Sequence, residues 1–266
     1  MAEENKNESL KLKLFGPVAG AAGETLQDAW DLVFGGFGNY VEKKRLSRGK
    51  ALEDFKATLE NQVNDIPIDQ LCEPPLSVIG PALEASKYYF EEEEIRAMFA
   101  SVISASMDAR VNSLVHPSFP TIIQQLTSAD AQTLTCFKSN NALPLCEYHI
   151  RSITNEEDAR FPSGAPYDVI YTNIFLSNPQ LCDSRQGAIS ITTLSRLGLV
   201  DILYGTVDTD TDYKIFEETV EYRAILSRCK DDPQLQPYIK KGYARLTPLG
   251  KNLCSICFPD PSQSDS

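Results

Sequence analysis

His116 and His149 are the only two histidines in the chain. General acid–base chemistry would need one of them beside a nucleophile or a carboxylate, and no spacing in the sequence selects such a partner. His116, next to Pro117, reads as a helix-entry residue bonding a backbone carbonyl. Two histidines without ligand spacing do not suggest a zinc or iron centre. Cys254-Ser-Ile-Cys257 is a lone Cys-x-x-Cys. A structural zinc would need two more ligands, and a redox pair would normally follow a strand at a helix start. In a C-terminal helix the two cysteines read as small buried residues on one face. Glu91 to Glu94 are four consecutive acids. They could meet a cation or a basic partner, but neighbours on a helix point in different directions, so they read as a solvated helix start. No catalytic residue, cofactor site or metal site is therefore expected. What remains is recognition. Ser184 to Leu197 carries Arg185, Gln186 and Arg196 among serines and threonines, residue types able to reach base edges in a groove. These three are the candidate nucleic-acid contacts.

Helices are expected to carry most of the first half. Leu26, Ala29, Trp30, Val33, Phe37 and Val41 recur at helical steps. Gly35, Gly36 and Gly38 weaken that helix by about 1 kcal/mol each. Leu52, Phe55, Leu59, Val63 and Ile66 mark a second helix, ended by Pro67. Leu76, Ile79 and Leu83 mark a third, with a kink or break at Pro81. A fourth starts among the glutamates and buries Ile95, Met98, Phe99, Val102 and Ile103. After a loop from Asp108 to Val115, a short helix is expected with Pro117 at its first position. Thr127 and Asp130 then form a variant capping box for a helix that buries Leu134 and Phe137.

The second half mixes periods. Asn140 to Ile153 alternates loosely as a strand, and Tyr167 to Leu176 fits a strand or a helix. Ile191, Leu194 and Leu197 share a helix face, closed by Gly198 in the left-handed region and by Leu199. Leu199 to Leu203 reads as a strand and Tyr243 to Leu246 as its return. Thr247 caps a last helix with Pro248 at its first turn. Helix, strand, return strand and helix in this order resemble a winged-helix module. Its wing, Tyr204 to Gly242, is enlarged and mostly acidic (Asp208, Asp210, Asp212, Glu217, Glu218, Glu221) and carries a helix around Tyr213 to Cys229. Lys240, Lys241 and Arg245 form one small basic cluster.

Five separated motifs fall in an order that resembles a known family. They are Pro74-Pro75, Ile79 to Tyr89, Glu94 to Asp108, His116-Pro-Ser-Phe119 and Gln125 to Ala131. Together they are similar to the Abi-alpha (abortive infection alpha) family, bacterial proteins long carried as a domain of unknown function and presumed to act in defence against phage. The resemblance runs from about residue 20 to about 255 and is densest over Ile79 to Leu134. It implies a role and no active site, because the family has no established catalytic residues to carry over.

The totals set limits. The net charge is −12, which disfavours a protein whose bulk surface grips phosphate backbones while leaving room for a local basic patch. The seven cysteines are scattered, and the first residues lack an apolar run behind basic ones. Free thiols in a reducing cytoplasm are expected. No apolar run approaches the roughly 18 residues that a spanning helix needs. The expected architecture is mainly α: a helical Abi-alpha-like core domain at 14–138, a winged-helix-like α+β domain at 139–258, and flexible tails at 1–13 and 259–266. The expected function is non-enzymatic phage defence through contacts with a host or phage protein. A nucleic-acid-binding regulator using Arg185, Gln186 and Arg196 is the alternative. A membrane-active effector working through Gly20 to Tyr40 is the third reading.

Overall fold

The computed structural model describes residues 21–34, 46–138, 140, 142–160, 164–181, 183–205 and 212–259. Most of these are helical, with a four-stranded antiparallel sheet in the C-terminal part. The chain divides into two compact units. One takes the chain up to Ala131 and again from Asn252; the other runs from Gln132 to Lys251.

The first unit is built from α1 (Ala21–Phe34), α2 (Leu46–Asn64), α3 (Leu76–Ser86), α4 (Glu93–Ser106), α5 (Phe119–Ile123) and the start of α6 (Ser128–Thr135). Helix α4 is its axis and packs against α2, α3 and α5. It starts inside the acidic run, with Glu92 as its cap residue and Glu93 and Glu94 in its first turn, where negative charge suits the exposed N–H groups. Every residue from Met98 to Ser106 is buried. Small residues let the neighbours approach, and their hydroxyls are satisfied locally: Ser106 donates to the Ile103 carbonyl at 2.6 Å and Ser104 to Gln62 at 3.1 Å. Trp30 of α1 stacks on Phe55 of α2 at 6.0 Å, and Phe34 lies 6.1 Å from Phe90.

Three expectations shift. Helix α3 runs through Pro81 without a break. Val78, Ile79, Ala82, Leu83 and Ala85 are all buried there, and that burial outweighs the single lost backbone bond. Leu76 is not on the buried face; it is 65% exposed, because it is the first helical residue and the face has moved to Val78 and Ala82. Helix α5 begins at Phe119 with Ser118 as its cap, so Pro120, not Pro117, stands in its first turn. The Thr127–Asp130 box forms as drawn. Asp130 N–H donates to the Thr127 hydroxyl at 3.2 Å, and the Asp130 carboxylate accepts from the Thr127 N–H at 2.9 Å. Glycines 35, 36 and 38, Phe37, Val41, residues 1–13 and 260–266, and Asp208 and Asp210 lie outside the described residues.

The second unit is organised on the sheet. Its strands are β1 (Ala142–Ser152), β2 (Tyr167–Phe175), β3 (Val200–Tyr204) and β4 (Leu235–Leu246), in the order β2-β1-β4-β3. Tyr167 to Phe175 is thus a strand. The return strand is twelve residues long and begins at Leu235, so the segment between β3 and β4 is shorter than Tyr204 to Gly242. The polar stretch before β2 contains a short helix, α7 (Glu156–Arg160). The insertion holds a 3-10 turn (Lys214–Glu218) and α9 (Val220–Lys230), whose cap is Thr219.

Helix α8 (Ser184–Arg196) lies over β2 and β3, and α9 over β1 and β4. Cys146, Tyr148 and Ile150 face α9, in a core with Ile174, Phe216 and Ile225. Tyr148 donates its buried hydroxyl to the Phe216 carbonyl at 2.6 Å. Burial pushes the Tyr148 phenol and the Cys146 thiol well above their usual ranges. The alternate residues of β1, Glu147, His149 and Arg151, face the other way.

Candidate functional site

The three recognition candidates come together on α8. Asp183 caps the helix and accepts from Arg185 N–H at 2.9 Å. Gly187, Ser190, Ile191 and Leu194 are buried. Gly187 permits close contact with β2: a Cβ there would lie 2.1 Å from the Phe175 carbonyl oxygen. Gly198 takes φ +73°, and Leu199 N–H closes the helix onto the Leu194 carbonyl at 3.0 Å. Thr247 fixes the corner from below, donating its hydroxyl to the Gly198 carbonyl at 2.6 Å and accepting from Gly250 N–H at 3.0 Å. The last helix, α10 (Pro248–Cys257), follows.

What α8 leaves outward is one face. Arg185, Gln186, Ile189, Thr192 and Arg196 are exposed, at helical steps, and Ile189 is 67% exposed. Arg185 lies 3.8 Å from Glu221 on α9. The face is therefore apolar at its centre with an arginine toward each end and a carboxylate at one margin. The exposed isoleucine is absent from the sequence reading. Counting outward positions on α8 from Arg185 finds it, but only after the buried face is known.

Asn173 links α8 to the sheet. It is the one non-glycine residue with positive φ among the described residues, at 54°, a conformation Asn tolerates. Its amide donates to Thr192 at 2.9 Å, its side-chain oxygen accepts from the Tyr204 hydroxyl at 2.7 Å, and its N–H donates to the same hydroxyl at 3.2 Å. Burial, then the Glu147 charge, raises the Tyr204 phenol.

A second polar group lies on the sheet face that carries Glu147. Its carboxylate is 3.0 Å from His149 Nε2 and 3.1 Å from Lys240 Nζ. Lys240 sits 4.9 Å above the Tyr204 ring. The His149 side chain is 2% exposed. Tyr167 stacks on its ring at 4.7 Å and 9°, and Tyr238 meets it edge-on at 5.9 Å. A histidine–carboxylate pair thus exists, sealed beneath aromatic rings. Sequence reading passed over the pair although Glu147 and His149 stand two apart on one strand; Lys240 joins it only through the β1–β4 register. The same register disperses the expected basic cluster. Lys240 meets Glu147, Lys241 on the opposite face lies 5.0 Å from the Tyr213 ring, and Arg245 reaches Asp201 at 3.4 Å.

The other candidates resolve into structure. His116 Nδ1 accepts from Ser118 N–H at 3.2 Å and lies 2.7 Å from its hydroxyl. It closes a turn at the start of α5, and among the described residues its hydrogen bonds are to Ser118, not to a carbonyl. Cys254 is buried, and Cys257 Sγ contacts the Met98 carbonyl at 3.9 Å. Burial holds the Cys257 thiol well above its usual range, the reverse of what a reactive thiolate requires. Among the described residues no three acids, cysteines or histidines cluster to hold a metal ion. No helix among them is long and apolar enough to cross a membrane.

The abortive infection alpha family model matches residues 47–257, most of the chain, and the protein belongs to that family. No curated protein and no solved structure matches it.

Proposed function

We propose that this chain is a non-enzymatic phage-defence protein that docks a host or phage protein through the outward face of α8, in the bacterial cytoplasm. The observation that carries the reading is the family match over residues 47–257. The docking surface rests on Ile189, an exposed aliphatic residue set between Arg185 and Arg196. Apolar centres with arginine at their margins are a common composition of protein interfaces. The non-enzymatic part draws support from the two histidines, one closing a turn and one sealed under tyrosines. The compartment draws support from the six described cysteines, all free. The test is plaque formation on cells expressing the wild type or Ile189→Asp. Wild type should lower plaque counts or kill infected cells early, and the variant should lose that effect while remaining folded. Unchanged counts with wild type across a broad phage panel would overturn the reading.

A second reading is favoured by the joint placement of Arg185, Gln186 and Arg196 on one exposed helix face. The order α8, β3, β4, α10 supports a winged-helix comparison in which α8 takes the reader position and residues 205–234 the wing. Duplex DNA binding that falls steeply with salt and disappears in Arg185→Ala/Arg196→Ala would establish it. No shift of duplex at low salt would end it.

A further inference from the structure

The sheet face opposite α9 combines rings and cations in rows. Along β1 it presents His149 and Arg151; their antiparallel partners are Val169 and Tyr167 on the edge strand β2, and Tyr238 and Gln236 on β4. Lys240 follows two residues beyond Tyr238 on the same side. The Arg151 guanidinium carbon lies over the Tyr238 ring, 3.2 Å from its centroid. Tyr167 covers His149 with one face and is itself 53% exposed, and Val169 beside it is 46% exposed.

Two features make this more than an ordinary solvated sheet. The aromatic side chains are pre-stacked and so have already given up their rotamer freedom, which lowers the cost of a further stacking partner. The carboxylate on this face, Glu147, is engaged by His149 and Lys240. At the β2 side the exposed Tyr167 then stands across the strand register from the half-buried Arg151. Flat π surfaces beside positive charge fit unstacked bases joined by phosphates. A duplex buries its base faces and offers nothing to such rings.

We propose that this open sheet face binds single-stranded nucleic acid, with one base stacking on Tyr167, a neighbouring base on Arg151, and the backbone running toward Lys240. The site uses none of the residues of the α8 docking face and does not depend on it. A defence protein arranged this way would meet nucleic acid on the sheet and its protein partner on the helix.

The test uses the full chain and short fluorescently labelled strands of mixed sequence, as RNA, as DNA and as the duplex, read by anisotropy at low salt. Binding of single strands in preference to duplex, weakening as salt rises, is the expected result. Tyr167→Ala and Arg151→Ala should each weaken it by about tenfold, whereas Tyr167→Phe, which keeps the ring, should bind as wild type. Arg185→Ala/Arg196→Ala should also bind as wild type. No binding of either strand type at low salt overturns the proposal. So does binding that survives Tyr167→Ala and Arg151→Ala but is lost with the α8 arginines.

Discussion

Helix α4 and strand β1 are each the central element of their unit, and they bury themselves differently. Helix α4 is enclosed from Met98 to Ser106, and its polar atoms are serine hydroxyls satisfied within one turn or by Gln62. Strand β1 alternates. It gives Cys146, Tyr148 and Ile150 to a core and turns Glu147, His149 and Arg151 to a face only partly covered. The first arrangement commits every side chain to stability. The second separates stability from recognition at a period of two residues, so one strand can serve both. The consequence is that substitutions in the helical unit should report on folding, while those on outward positions of the sheet unit should report on binding.

The most disruptive break is expected in α4. Phe99→Ala removes a fully buried ring and should cost about 3–5 kcal/mol in chemical denaturation. A loss below about 1 kcal/mol would mean the helical unit is loosely packed. Next comes Gly187→Ala, which would place a methyl against the Phe175 carbonyl and lift α8 from β2. A loss of about 1–3 kcal/mol is expected, together with weaker use of the α8 face, because its support has moved.

A smaller effect belongs to Asp108, buried at the end of α4 with Arg110 gripping it through contacts at 2.6 and 2.9 Å. Burial alone would raise this carboxyl, but the Arg110 hydrogen bonds outweigh it and hold the group below its usual 3.8. The sign follows from that depression. Its contribution is complete above the unfolded value near 3.8 and fades as pH falls through the lower folded value. Asp108→Asn should cost about 1–2 kcal/mol at neutral pH, and the gap from wild type should narrow in acid. A gap that stays constant to low pH would remove the ion pair from the account. The smallest stability effect is expected at Ile189→Asp, within about 0.5 kcal/mol, although phage protection should be lost. A large loss of stability there would erase the distinction between the two regions.

The sequence displayed those parts of the fold whose causes are local. The Thr127–Asp130 box, the Gly198 closure and the Thr247–Pro248 start each depend on a few neighbouring residues, and each is present. Arg185, Gln186 and Arg196 were legible as residues of one helix for the same reason. What could not be read depends on pairing across distance. Lys240 reaches the Glu147–His149 pair only through the β1–β4 register, and the bulge near Tyr148 shifts the β1–β2 register. Asn173 carries no local mark of its left-handed backbone, because the turn is held by Tyr204 and Thr192 from other elements. Pro81 misleads in the opposite direction: a local helix breaker is overruled by the burial around it.

The distribution of thiols gives the protein its own clock. Cys146 is sealed in the sheet core, and Cys229 on α9 packs into that same core. Cys254 and Cys257 belong to the helical unit. Cys146, Cys229 and Cys254 are buried, so an alkylating reagent can reach each only when its surroundings open, and burial also raises the Cys146 and Cys229 thiols above the ordinary range. Counting added masses against time, with peptide mapping to assign them, would therefore give a separate opening rate for each unit from the unaltered chain, with no probe introduced.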